Sequence, residues 1–376
     1  MKQKKYYPEV NRLRGIAILM VILYHSIIVY PINLNEVVFW GRLHSFLWTV
    51  EMPLFFLISG FCFSYEEDYK SYICKKSSKL LIPHFVFGIL DLLPRMFSNP
   101  LVNETYSIKQ AWIELLLYSS NEWFLWTLFL MFLLAPLLQK GLKRGKISTI
   151  FITIIISIAY LVQNIVTPLL SLKNVAGFFI YFWIGMLLRK HEKKSNCINS
   201  RSMHLNNNSK KVLVICAKVL LVPVGILMFW GLSWQGWHGH AYAWVELFGE
   251  KISPIRDLMV ITILPGLTGV KMLWLIVTLI TTLIWCVLFY WIALKMKSGW
   301  VSIFLEYCGK YSLPMYLLDG YALVASRTLL VTILGIEQAW LIVSGNFVID
   351  TGLVMCIICV FRQFKITRYI SGIDKN

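Results

Sequence analysis

Charged side chains are scarce in this chain, at 15% of 376 residues, where soluble domains carry about a quarter. Acidic ones are the scarcest: 19 Asp and Glu stand against 36 Lys and Arg, for a net charge of +17. So little charge cannot solvate a soluble globular protein of this size, and the soluble classes are excluded. No small-residue cleavage site follows the first apolar run, Leu13–Tyr30, which is also too long for the core of a secretion signal; a retained span is expected. No internal repeat is evident, which counts against a transporter built from paired repeats. The eight cysteines are scattered. Cys356 and Cys359 form a C-x-x-C, but inside an apolar helical run, where packing is expected and a metal site is not.

Apolar sequence is what remains, with 58% hydrophobic residues and a mean hydropathy of +0.66. Runs of roughly 18 or more apolar residues recur, as spanning helices require. The expected architecture is an all-α, polytopic transmembrane bundle of about ten helices, near 13–30, 44–64, 80–98, 123–138, 148–168, 174–189, 211–231, 272–294, 311–333 and 341–361. The basic charge could suggest nucleic acid, yet it sits between apolar segments rather than on one face. It clusters in alternate connections: the first 14 residues, Lys70 to Lys79, Lys140 to Lys146, Arg189 to Lys211, Lys295 to Lys310, and the tail with Arg362, Lys365 and Arg368. By the positive-inside rule both termini are cytoplasmic, in a multi-pass protein of the cell membrane whose partners include lipid and exclude nucleic acid. A single membrane domain over 1–376 is expected, with polar residues 190–210 as a cytoplasmic linker and no separate soluble domain. Residues 256–270 read as a re-entrant segment.

A few polar side chains interrupt the apolar runs. Arg14 and His25 are eleven residues apart, which puts them within about 20° of one helix face and about 16 Å apart along it. A cation at one membrane edge with a titratable imidazole near the midplane is costly and points to a role. On residues alone, His25 is either a general base or a hydrogen-bonded bridge between helices. Lys76 and Lys79 belong to a basic cluster abutting the third span, suited either to an anionic cofactor or to lipid head groups. Asp319 falls mid-membrane, able to orient His25 or to pair with Arg327. Glu122 opens the fourth span at the outer face, where it could contact an acceptor hydroxyl. The loop Trp230–Trp244 gathers Trp234 and Trp237 into either an aromatic belt or a wall for sugar rings.

Longer stretches resemble the acyltransferase-3 family of integral membrane acyltransferases, especially its exopolysaccharide and sugar O-acetylases. They are Asn11-Arg12-Leu13-Arg14-Gly15 with His25, Met52-Pro53-Leu54-Phe55-Phe56-Leu57-Ile58-Ser59-Gly60-Phe61, Lys75-Lys76-Ser77-Ser78-Lys79-Leu80-Leu81-Ile82-Pro83, Trp123-Phe124-Leu125, and Gly309 to Leu317. The resemblance implies a ten-helix enzyme that takes an acyl group, usually acetyl, from cytoplasmic acyl-CoA and O-acylates a carbohydrate at the outer face. Acetyl-CoA is then a donor substrate, and no cofactor is held permanently. It also implies that Arg14 and His25 occupy the family's basic and histidine positions in the first helix, and Lys76 and Lys79 its paired-basic site. The chain departs from the pattern in three ways. Asn11 replaces a common acid, lysines replace the paired arginines and lose their bidentate geometry, and Asp319 stands where histidine is frequent. The rival reading is a transporter or flippase for a lipid-linked sugar, which leaves the Lys76/Lys79 cluster without a ligand.

Overall fold

A computed structural model describes residues 7–66, 68–96, 107–118, 122–199, 262–264 and 267–373. Helices α1 (Pro8–Ser26), α2 (Val38–Phe61), α3 (Tyr69–Met96) and the short α4 (Ile108–Ile113) precede α5 (Trp123–Arg144), α6 (Lys146–Leu161) and α7 (Leu172–Asn199). A small hairpin, β1 (Thr262–Leu264) and β2 (Leu267–Thr268), leads to α8 (Gly269–Lys295), α9 (Trp300–Lys310), α10 (Ser312–Arg327), α11 (Ala339–Phe361) and α12 (Lys365–Ile370). The hairpin pairs Thr262 with Thr268 and Leu264 with Leu267. It is the one departure from helix among the regular elements described. The rest of the expected re-entrant segment, like the expected span 211–231, lies outside the described residues.

Six described helices are long and apolar enough to cross a membrane: Val38–Phe61, Trp123–Arg144, Leu169–His191, Trp274–Lys295, Ser312–Ile333 and Ala339–Phe361. The chain is a multi-pass membrane protein. Three further expected spans fall on α1, α3 and α6. The first two carry basic residues within the helix, and α6 is shorter, at 16 residues.

Helix ends depart from the hydropathy boundaries for local reasons. Pro8 takes the first helical position of α1, where its missing N–H costs nothing, so the helix starts there rather than at Leu13. It stops at Ser26, although Ile27 and Ile28 stay buried as irregular chain. His25 therefore lies in the last turn of α1, not in its middle. The start of α3 is set by Asp68, whose Oδ2 accepts from the Lys70 and Ser71 backbone N–H groups at 3.1 and 3.3 Å. That cap makes the lysine-rich stretch helical, so Lys76 and Lys79 share a face. α7 runs on to Asn199, into the segment expected as a linker.

α1 is the hub of the bundle, packing against α2, α8, α9, α10 and α11. Its contact with α9 is made backbone to backbone. A side chain at Gly15 would run into the Leu305 carbonyl, and one at Gly309 into the Asn11 carbonyl. Small residues permit such approach where the hydrophobic effect gives no help. Gly309→Val is therefore expected to cost about 1–3 kcal/mol through forced separation. A thermal unfolding series in detergent checks this, and an unchanged midpoint would contradict the close crossing.

Interior prolines strand a carbonyl four residues earlier, and in lipid that group needs a donor. Pro53 in α2 frees the carbonyl of Thr49, which accepts from Thr282 Oγ1 of α8 at 3.1 Å. Pro136 in α5 frees that of Phe132, which accepts from the Tyr72 hydroxyl of α3 at 3.1 Å. Both freed groups become ties between helices around the site.

Candidate active site

Arg14, Lys76 and Lys79 line one cavity of about 300 Å3, together with Lys310 from the end of α9. The expected basic residues thus converge, and Lys310 joins them from a distant part of the sequence. Arg12 is used otherwise: its Nε donates to Glu306 Oε1 at 2.8 Å and its guanidinium to the Ala293 and Met296 carbonyls, tying α1 to α8 and α9. The Lys76 ammonium sits 3.8 Å from the centre of the Phe132 ring, a cation–π seat that steers it along the wall.

Further in, the cavity turns apolar, with Phe55, Phe124 and Tyr316 among its lining residues. Phe124 lies 5.7 Å from Phe55 and 5.5 Å from Tyr316, centre to centre, so the three rings make a collar. Each belongs to a helix that carries an acid beyond it. Glu51 is four residues from Phe55 on α2, Glu122 two residues before Phe124, and Asp319 three residues past Tyr316 on α10. Three residues of helix rise about 4.5 Å, so the inner end of the cavity is one turn from Asp319.

Asp319 Oδ2 is in contact with His25 Nδ1. Of the two options for this carboxylate, the structure has it on His25, while Arg327 donates to the Tyr30 carbonyl at 3.3 Å. The Asp319 side chain is 1% exposed and that of His25 38%, so the imidazole keeps an open side. A neutral imidazole facing a carboxylate through Nδ1 carries its proton there, which leaves Nε2 free to accept one.

Asp319 has a second neighbour that the sequence reading missed. Asp350 of α11 is buried beside Asp319, and Asp319 Oδ1 and both Asp350 oxygens have no hydrogen-bond partner. Four residues before Asp350, Asn346 donates to the Ser26 carbonyl at 3.4 Å, holding the end of α1 against α11.

An aromatic cluster reaches His25 through Tyr24. Tyr24 packs edge-on to it at 5.1 Å, stacks on His44 at 4.1 Å, and lies 5.5 Å from Trp48. His44, Trp48 and Glu51 follow each other at helical spacing on one side of α2. Glu51 is buried and its Oε2 has no partner. Glu122 is likewise buried with an unpartnered Oε2. His84 of α3 donates from Nδ1 to the Glu122 carbonyl at 3.1 Å, tying the start of α5 to α3. Trp234 and Trp237 lie outside the described residues. Among the described residues no group of histidine, cysteine and acid has the arrangement of a metal site.

A basic cavity at one end of a membrane bundle, closed by an aromatic collar below a histidine–carboxylate pair, defines the class: a multi-pass membrane protein with an enzyme-like buried centre. The model for the acyltransferase domain of the acyltransferase-3 family matches residues 7–361, nearly the whole chain, and the protein belongs to that family. It is a membrane acyltransferase. Neither a curated protein nor a solved structure matches the chain.

Proposed function

We propose that the protein transfers an acetyl group from acetyl-CoA to a hydroxyl of a cell-surface or lipid-linked carbohydrate. The observation that carries this is the single cavity with four cations at its mouth and its apolar end one turn from Asp319 and His25. The mouth opens to the cytoplasm, where acyl-CoA is found, and its ammonium and guanidinium groups hold the phosphates of the donor. The thioester reaches through the collar of Phe55, Phe124 and Tyr316, which keeps bulk water off it. The acceptor enters from the other side and lies on Tyr24, His44 and Trp48, since apolar ring faces with a few polar groups suit a sugar. Glu51 and Glu122 are placed to accept from its hydroxyls.

His25 is the base. Its Nε2 takes the proton of the attacking hydroxyl as the oxygen bonds to the thioester carbonyl carbon. The tetrahedral intermediate collapses, the carbon–sulfur bond breaks, and the leaving sulfur takes the proton back from the imidazolium. Asp319 keeps the ring in the required tautomer and stabilises the imidazolium while it exists.

Purified protein in detergent, given labelled acetyl-CoA and a carbohydrate acceptor, is expected to release free CoA and label the sugar. In the Lys76→Ala variant KM for acetyl-CoA is expected to rise about ten- to a hundredfold with little change in kcat, since one charge-assisted contact is worth about 1.5–3 kcal/mol. Added salt should narrow the gap. Folded protein that consumes no acetyl-CoA would favour transport of a lipid-linked sugar.

A further inference from the structure

A second cavity, about 480 Å3, opens beside the first, between α3 and the C-terminal helix α12. The two share Lys79, Gly372 and Ile373 as a common wall. Its other lining includes Lys75 and Ser78 from α3 and Arg368 and Tyr369 from α12, and among the described residues no Asp or Glu lines either cavity. The wall between them is fixed. Ser371 Oγ donates to the Thr367 carbonyl at 2.6 Å, and the backbone N–H of Ile373 to that of Arg368 at 2.9 Å. Gly372 turns the chain at φ +69°, a conformation that favours glycine, and an added side chain would sit 3.5 Å from the Lys79 carbonyl.

The C-terminal segment packs against α3, and Arg368 and Tyr369 come to the rim of the donor cavity. In the sequence Arg368 looks like one more basic residue of the tail. In the fold it stands with Lys75 and Lys79 around one space.

We propose that this second cavity is the seat for the nucleotide end of the acyl-CoA donor. Arg368 and Lys75 hold its ribose phosphate, and the exposed Tyr369 ring stacks on its adenine. The proposal rests on the acyl-CoA reading above and deepens it. Size supports the division: about 300 Å3 is the lower end for a drug-sized ligand, so the first cavity suits the pantetheine arm and leaves the nucleotide to be seated elsewhere. The chemistry agrees, because a guanidinium fork matches phosphate bidentately and any base offers a face to an aromatic ring.

The experiment compares acetyl-CoA with S-acetylpantetheine, which lacks the nucleotide, in wild-type protein and in Arg368→Gln. The readout is the ratio of kcat/KM for the two donors. It is expected to fall about tenfold in the variant, the worth of one charge-assisted phosphate contact. Tyr369→Leu, at an exposed position, is expected to lower the same ratio and serves if Arg368→Gln does not reach the membrane folded. Damage to the bundle lowers both donors together, so an unchanged ratio in the folded variants overturns the proposal. A loss seen only in vesicles containing anionic lipid, with the ratio unchanged, overturns it in favour of a lipid phosphate. Wild-type protein that uses neither donor would remove the acyl-CoA reading itself, a result distinct from both.

Discussion

A His25→Ala variant is expected to lose acyl transfer by about a thousandfold, inside the range of about 10²–10⁴ for a positioned acid–base group. The loss should fall on kcat with KM for acetyl-CoA nearly unchanged, because the proposed seat of the donor's phosphates, at Arg14 and the lysines, is about 16 Å away. Stability should suffer little, as His25 is in the last turn of α1 with one side open. The change removes the hydrogen-bond partner of Asp319 and leaves Asp350 beside it. The check is coupled release of CoA and labelling of the acceptor by purified variant, with a thermal unfolding midpoint beside it. Wild-type transfer by a folded His25→Ala protein would sink the assignment of the base.

The residues legible in the sequence were those whose chemistry is out of place in lipid. Arg14, His25 and Asp319 stood out because a membrane segment rarely carries an ionisable group without use for it. Their convergence did not follow from the same signal. Asp319 is 294 residues from His25, and only the packing of α1 against α10 brings them together. Asp350 offered the same kind of signal inside an apolar helix, with Asn346 four residues before it, and was overlooked. Trp48 carries no such mark, since an aromatic-rich start to a span is what any interfacial belt looks like.

Boundaries were less legible than spans for a related reason. Hydropathy sees where lipid is tolerated and does not see where a helix begins. The Asp68 cap extends α3 well before its apolar part, and that extension is what aligns Lys76 with Lys79. Glu122 was legible only as the opening of a span; its burial comes from packing, with the His84 hydrogen bond to its carbonyl tying it to α3.

Asp319→Asn is the sharper test of the centre, because it keeps the size of the side chain while removing its charge. The amide meets Nδ1 with either its oxygen or its NH2 group. With the oxygen, the tautomer survives but the imidazolium formed during transfer loses its counter-charge. With the NH2, the proton is displaced to Nε2 and the base is blocked. Both routes lower kcat, and the corresponding change in a Ser-His-Asp triad costs about 10⁴. A fall of about 10²–10⁴ is expected here. Asp350 sets where in that range it lies. The new amide can donate to an Asp350 oxygen, which would turn its own oxygen toward His25 and favour the smaller loss. Adding Asp350→Leu removes that acceptor, so the double variant should fall further than the product of the two single effects. Single-turnover kinetics on the four proteins of this cycle measure the coupling. Strict additivity would mean that Asp350 packs near Asp319 without orienting it.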